Sequence, residues 1–256
     1  MTDYGLVSII TPNYNCARFI SETIESVQAQ TYLNWELLIQ DDHSSDESIA
    51  IAKRYAEKDN RIKVECNSQN AGAAVTRNNA IRRSQGKWLA FLDSDDLWDS
   101  DKLKKQLKFM VENDCDFSFT SYEHITEYGE PMGLVANTVK RLTYRGMMLH
   151  CWPGCLTVMA RQDLNKKVYA GDVKKNNDTA LFLRMMKASG KPAMGMPEVL
   201  AKYRIRKGSI SRSKLKILKP FVKVIHEFEG QDILFAYFCV FTHMFVKTFF
   251  KYKKIS

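Results

Sequence analysis

Trp88-Leu89-Ala90-Phe91-Leu92-Asp93-Ser94-Asp95-Asp96 is an apolar run that ends in three carboxylates within four residues. The apolar half reads as a buried strand, five residues long and without a helical repeat. The acidic half reads as a ligand site. Like charges this close repel one another and persist best beside a cation. Helix capping is the plainer explanation for an acidic residue between elements, and it suits Asp46 and Asp101. It does not explain three carboxylates directly after a buried strand. Mg²⁺ and Mn²⁺ take oxygen ligands, commonly one or two carboxylates together with substrate phosphates. The turn therefore predicts a metal–diphosphate site.

Working outward, the flanking sequence alternates strand and helix signals. Leu6-Val7-Ser8-Ile9-Ile10 is a β-branched run stopped by Thr11-Pro12-Asn13, and Ile20, Ile24 and Val27 then recur at helical spacing. Trp35-Glu36-Leu37-Leu38-Ile39 is a second strand, closed by Asp41-Asp42-His43-Ser44-Ser45-Asp46 and followed by a helix containing Ile49, Ala52, Tyr55 and Ala56. Ile62-Lys63-Val64-Glu65 is a third strand. Asn70-Ala71-Gly72 turns the chain into a helix with Ala73, Ala80 and Ile81, which Gly86 ends. This rhythm predicts an α/β fold, a mostly parallel twisted sheet with helices on both faces. Ligands of such sheets collect beyond the carboxyl ends of the strands. Strands one, two and four end in polar or acidic residues, so that edge is the expected site.

Beyond Asp96 the signals loosen. Lys102 to Glu112 reads as helix, Phe117 to Tyr122 as strand, and residues 123–150 show no clear period. Leu156-Thr157-Val158-Met159 is a strand candidate. Asp178 opens a helical run with Leu181, Leu183, Met185 and Met186, and Ala201-Lys202-Tyr203-Arg204 reads as a last strand. Trp152 stands beside a Pro-Gly turn and is expected in the core rather than on a sugar face.

The chain of 256 residues is long enough for one large domain, and its 45% hydrophobic and 26% charged composition is that of a globular protein. The start, Met1-Thr2-Asp3-Tyr4, lacks the basic end and apolar core of a signal peptide, which points to a cytoplasmic protein. The six cysteines have no zinc-site spacing and are expected to be reduced thiols. Residues 201–256 hold 13 of the 38 Lys and Arg but only three of the 29 acids (Glu227, Glu229, Asp232), so the net charge of +9 resides in the tail. A basic tail flanking an apolar segment suits anionic lipid better than nucleic acid. Ile233 to Val246 is too short to span a bilayer, which needs about 20 apolar residues. A helix lying in the interface is expected, and a C-terminal helix packed on the domain is the alternative.

Four of these stretches together resemble the family 2 glycosyltransferases. Val7-Ser8-Ile9-Ile10-Thr11-Pro12-Asn13-Tyr14-Asn15 is similar to the family's opening strand and loop. Asp41 to Asp46 resembles its second acidic loop, with His43 where Gly is more usual. Asn70-Ala71-Gly72 with Thr76-Arg77-Asn78 resembles its helix start, and Phe91 to Asp96 its metal motif. The resemblance covers residues 6 to about 210 and is strongest to the short bacterial enzymes that build O-antigen, capsule and teichuronic-acid repeats. It implies the GT-A fold over residues 1–210, with a nucleotide-binding half (1–100) and an acceptor half (101–210). A basic, apolar helical extension that associates with membrane would follow (211–256).

The resemblance also implies roles. Asp42 would bond the uracil ring, framed by Pro12 and Tyr14; Arg77 would pair with the diphosphate; Asp93 would face the ribose or sugar; and Asp95 would ligate Mn²⁺ or Mg²⁺. Asp178 matches the catalytic base, with Asn177 in place of the usual Glu. Tyr203 to Ser211, including Arg204, resembles a closing segment that folds over the diphosphate. The implied reaction is inverting transfer of a hexose, glucose in β-1,3 linkage first, from a UDP-sugar to a sugar on a polyprenyl diphosphate. It would occur on the inner face of the cytoplasmic membrane. UDP-galactose is the competing donor, and a non-catalytic nucleotide-sugar-binding scaffold is the competing role, favoured by Asn177 alone. A nucleotidyltransferase would carry a Gly-rich basic loop after the first strand, and Thr11 to Cys16 is not one.

Overall fold

A computed structural model describes residues 2–150, 152–162, 169–170, 173, 176–206 and 214–254. Four parallel strands lie in the order β3 (Ile62–Cys66), β2 (Trp35–Asp41), β1 (Val7–Asn13) and β4 (Trp88–Phe91), joined by helices α1 (Ile20–Gln28), α2 (Ser48–Ala56) and α3 (Ala73–Arg83). Their side chains alternate between two apolar faces. Val7 and Ile9, Leu37 and Ile39, and Trp88 and Ala90 point to one core with Ile24, Ala52 and Leu107. Ile10, Leu38, Leu89 and Phe91 point to the other with Ile81 and Phe182. Both faces are thus covered, as the unbroken apolar runs require.

After β4 come β5 (Leu97–Trp98), α4 (Lys102–Glu112), β6 (Phe117–Ile125), β7 (Pro131–Ala136), β8 (Arg141–Leu142), α5 (Tyr144–His150), β9 (Met159–Arg161), α6 (Asn177–Ser189) and β10 (Ala193–Arg204). β9 pairs antiparallel with both β4 and β6, so it extends the parallel half into a mixed sheet. β10 runs parallel to β6 and antiparallel to β5.

Three expectations change here. Cys155–Thr157 is a turn of 3₁₀ helix and the strand starts only at Met159. Leu156 O accepts from Trp98 Nε1 at 2.8 Å and Thr157 O from Gln106 Nε2 at 3.0 Å, so these carbonyls bond side chains instead of a ladder. The last strand begins at Ala193, with register breaks that interrupt its alternation. Asp101 precedes α4 without a capping bond, its carboxylate accepting instead from Thr31 Oγ1 at 2.7 Å. Trp152 is buried and donates to Asn137 O. The described cysteines are all free, with Cys66 exposed, and Cys151 lies outside the described residues.

The tail forms α7 (Lys214–Lys223), a π turn over Val224–Phe228, α8 (Ile233–Phe249) and β11 (Tyr252–Lys254), which pairs with β7. Phe221, Val224, Ile225, Ala236, Cys239 and Val240 join the second core. The opposite side of α8 exposes Leu234, Tyr237, Phe238, Phe241, Phe245 and Phe249. Among the described residues no helix is long and apolar enough to cross a membrane.

Candidate active site

β4 delivers the chain into the acidic turn, and two other elements lock the turn in place. Asp96 is buried: its Oδ1 accepts from Arg204 N at 2.9 Å, and its carbonyl accepts from Thr23 Oγ1 on α1 at 2.9 Å. Asp93 and Asp95 remain partly accessible. Burial raises the pKa of Asp95, and Asp93 adds to the rise against the pull of Arg206. Burial, then Asp95 and Asp93, push Asp96 well above the carboxylate range. Burial and mutual repulsion thus both work against full ionisation of the turn, while Arg77, Arg206 and Arg204 offset them at Asp93, Asp95 and Asp96.

Arg77 is the centre of the site. It projects from α3, buried, and donates to Asp93 Oδ1 at 3.0 Å and to Asn177 Oδ1. Burial works against its charge, yet Cys155, Asp93 and Asp178 outweigh burial and its pKa lies above the ordinary value. One side chain thus ties the acidic turn to the start of α6. Asp178, the second residue of α6, is half-buried, and its Oδ1 accepts from the adjacent Thr179 N at 2.8 Å. The cap position belongs to Asn176, held at φ 55°. The sequence gives no signal for Cys155, a half-buried thiol that interacts electrostatically with Asp93, Arg77 and Asp178. Burial, reinforced by Asp93, raises its pKa well above the thiol value.

The edge expected to take the nucleotide is built around Asp42, at the end of β2. Its carboxylate accepts from Ala71 N and Gly72 N, both at 2.8 Å, and from Asn67 Nδ2 at 2.9 Å. Asn67 Nδ2 also donates to Thr76 Oγ1 at 3.0 Å, so Thr76 helps hold the amide that bonds Asp42. Gly72 has φ 85°, which a side chain would oppose. His43 has φ 62°, and this left-handed backbone is the reason Gly is usual there. A carboxylate offers about four acceptor positions, so Asp42 keeps room for one further N–H. Pro12 lies half-buried in register with Gln40, and Tyr14 follows it, 49% exposed. Pro12, Tyr14 and Asp42 thus line one edge, while Arg77, Asp93, Asp95 and Asp178 gather at its centre.

Arg204 stands apart from its expected place over the diphosphate. Its guanidinium is buried beneath the acidic turn, donating to Glu22 Oε2 at 2.6 Å, Asp95 O at 2.8 Å and Glu127 O at 3.0 Å. Arg206 instead reaches the carboxylate of Asp95, with Nε 2.6 Å from Oδ2. The rest of the closing segment, 207–211, lies outside the described residues.

Among the described residues no cluster of three or more His, Cys, Asp or Glu could cage a metal alone. Two carboxylates on one turn suit Mg²⁺ or Mn²⁺, which complete their shells with water and substrate phosphate. Asp95, with Asp93 beside it, would hold such an ion, which would supply charge neutralisation at the diphosphate.

This architecture is the GT-A fold of nucleotide-sugar transferases. Residues 8–165 match the sequence model of Glycosyl transferase family 2, and the chain belongs to that family. It is 41% identical over 234 residues to TuaG of Bacillus subtilis, a glycosyltransferase named for teichuronic acid biosynthesis, covering 91% of this chain and 92% of that protein. It is 37% identical over 238 residues to WfgD of Escherichia coli, covering 93% and 92%. WfgD is a UDP-Glc:alpha-D-GlcNAc-diphosphoundecaprenol beta-1,3-glucosyltransferase. The structure of Staphylococcus aureus TarS (1–349) in complex with UDP-GlcNAc superposes with a TM-score of 0.68 at 18% identity, over 95% of this chain and 73% of that one. The mannosyltransferase PcManGT of Pyrobaculum calidifontis, in complex with GDP-Man and Mn²⁺, gives 0.65 at 18% identity, over 94% and 73%.

Proposed function

We propose that this glycosyltransferase moves a hexose, glucose in β-1,3 linkage, with inversion from a UDP-sugar to a lipid-diphosphate-linked N-acetylhexosamine during surface-polysaccharide synthesis. Mn²⁺ or Mg²⁺ assists. The observation that carries the reading is the double engagement of Arg77 with Asp93 and Asn177. It holds the groups that would bind the leaving diphosphate beside the carboxylate that would face the acceptor. In the reaction, Asp178 takes the acceptor hydroxyl's proton as its oxygen bonds to the anomeric carbon. The bond from that carbon to the β-phosphate oxygen breaks, and UDP leaves with the electron pair. Arg77 meets the charge developing on UDP. One base opposite the leaving group turns an α-linked donor into a β-glycoside.

The activities for which the relatives are named support a UDP-glucose donor and a GlcNAc-diphosphate-lipid acceptor. Asn177 gives no support to a non-catalytic scaffold, because its amide oxygen fills the acceptor position at Arg77. The exposed aromatic side of α8, with Lys253 and Lys254 exposed on β11, supports peripheral contact with the inner face of the cytoplasmic membrane. The test is product NMR after incubation with UDP-glucose, Mn²⁺ and synthetic GlcNAc-diphosphate-lipid. A new β-1,3 anomeric signal is expected; an α signal would overturn the inverting mechanism, and no product with UDP-glucose but product with UDP-galactose would reassign the donor.

A further inference from the structure

Arg206 gives the acidic turn a cation that is placed to move. The backbone before it is anchored: Arg204 bonds Asp95, Asp96, Glu22 and Glu127, and Ile205 N donates to Ile125 O at 2.9 Å. Arg206 is the first residue beyond this anchor. Its Nε lies 2.6 Å from Asp95 Oδ2, and its guanidinium stands 5.8 Å from the centre of the Phe19 ring. Yet the buried Nε has no acceptor in hydrogen-bond alignment among the described residues. Arg206 thus meets Asp95, with Cys16 beside it, through a side chain of which about a third is open to solvent, 32%.

We propose that Arg206 and the divalent cation are alternative occupants of Asp95, the guanidinium holding the carboxylate in the donor-free enzyme and the metal displacing it as the nucleoside diphosphate binds. The inference rests on the metal-dependent reading above. A magnesium-sized ion ligated by a carboxylate oxygen sits about 2.0–2.1 Å from it, and a guanidinium already against the same oxygen blocks and repels it. Once displaced, Arg206 stays tethered to the fixed Arg204 beside the same turn, where the diphosphate brings new negative charge. The ion pair is relocated rather than lost. Metal and nucleotide binding then strengthen each other, and by linkage the coupling is the same in either order.

The test is Mn²⁺ binding followed by the free-ion EPR signal, with and without UDP, for wild type, Arg206→Gln, Arg206→Lys and Asp95→Asn. Arg206→Gln removes the competitor, so Mn²⁺ binding without UDP tightens about ten-fold and the enhancement by UDP shrinks by about the same factor, within the usual range for linked sites. Arg206→Lys shifts both in the same direction by less, and serves if the glutamine variant does not fold. Asp95→Asn loses Mn²⁺ binding under both conditions. UDP-free Mn²⁺ affinity that is unchanged or weaker in both Arg206 variants overturns the exchange while leaving the metal reading intact. Absence of Mn²⁺ binding by the wild type even with UDP overturns the metal reading, and the exchange with it.

Discussion

Arg77→Lys separates charge from geometry at the centre of the site. Lysine keeps the positive charge, but a single nitrogen cannot span Asp93 Oδ1 and Asn177 Oδ1, which Arg77 reaches with two different nitrogens. Asp93 is partly exposed and can be rehydrated, whereas Asn177 is buried and loses its partner. A buried acceptor left unpaired costs about 1–3 kcal/mol, and for a chain of this size each kcal/mol lowers Tm by about 2–4 °C. A fall of roughly 2–12 °C is therefore expected. The catalytic loss should be larger in proportion. Removing one aligned donor from a developing oxyanion costs about 10²–10³ in kcat, and the shorter ammonium would offer only part of the fork. The assay is steady-state UDP release beside a thermal melt. A kcat within about threefold of wild type together with the lowered Tm would show Arg77 to be a structural tie alone, and would remove the centre of the proposed site.

Asp178→Asn should lower transfer by about 10²–10⁴ while UDP binding and Tm hold, since the carboxylate's hydrogen bond is to the adjacent Thr179 N; calorimetry with UDP checks binding. Lys102 is buried over the Trp98 ring, donates to Gln106 Oε1 at 2.6 Å, and burial takes its pKa down to about 7. Between about pH 7 and 10.5 the unfolded chain then holds a proton that the folded one does not, so stability rises with pH through that window. The rise is on the order of 3–5 kcal/mol over its full width. Urea unfolding at pH 7 and 9.5 should show the rise in wild type and its loss in Lys102→Met. Serine at Phe238, Phe241 and Phe245, all exposed on α8, should abolish co-sedimentation with anionic vesicles while Tm stays within a few degrees; unchanged sedimentation would assign the membrane contact elsewhere.

The nucleotide-binding half was legible because its signals are local and agree with one another. Ile9 and Ile10, Leu37 and Leu38, and Ala90 and Phe91 alternate between two cores, so the runs are apolar throughout, and each run ends at a residue of the site. His43 and Asn177 read as departures from the family pattern: His43 adopts the left-handed backbone that makes Gly usual there, and Asn177 supplies an acceptor for Arg77. Arg204 and Arg206 show where local reading stops. Two residues apart, they would share one face of a continuing strand, but the strand ends at Arg204, and only the fold brings Glu22 beneath it. Lys102 likewise looks like a solvated helix residue until Trp98 and Gln106 enclose it. Thr157 and Val158 have strand propensity, but the Leu156 and Thr157 carbonyls of the turn accept from the Trp98 and Gln106 side chains, which no short-range pattern encodes.

The most direct measurement is UDP release from UDP-glucose, with Mn²⁺ or EDTA, in the presence and absence of GlcNAc-diphosphate-lipid. Release that requires both acceptor and metal, and that fails in Asp95→Asn, is the expected result. Release that proceeds equally in EDTA, or no turnover of any UDP-sugar with any lipid-diphosphate acceptor, would contradict the metal-dependent transfer assigned to the Asp93–Asp95 turn.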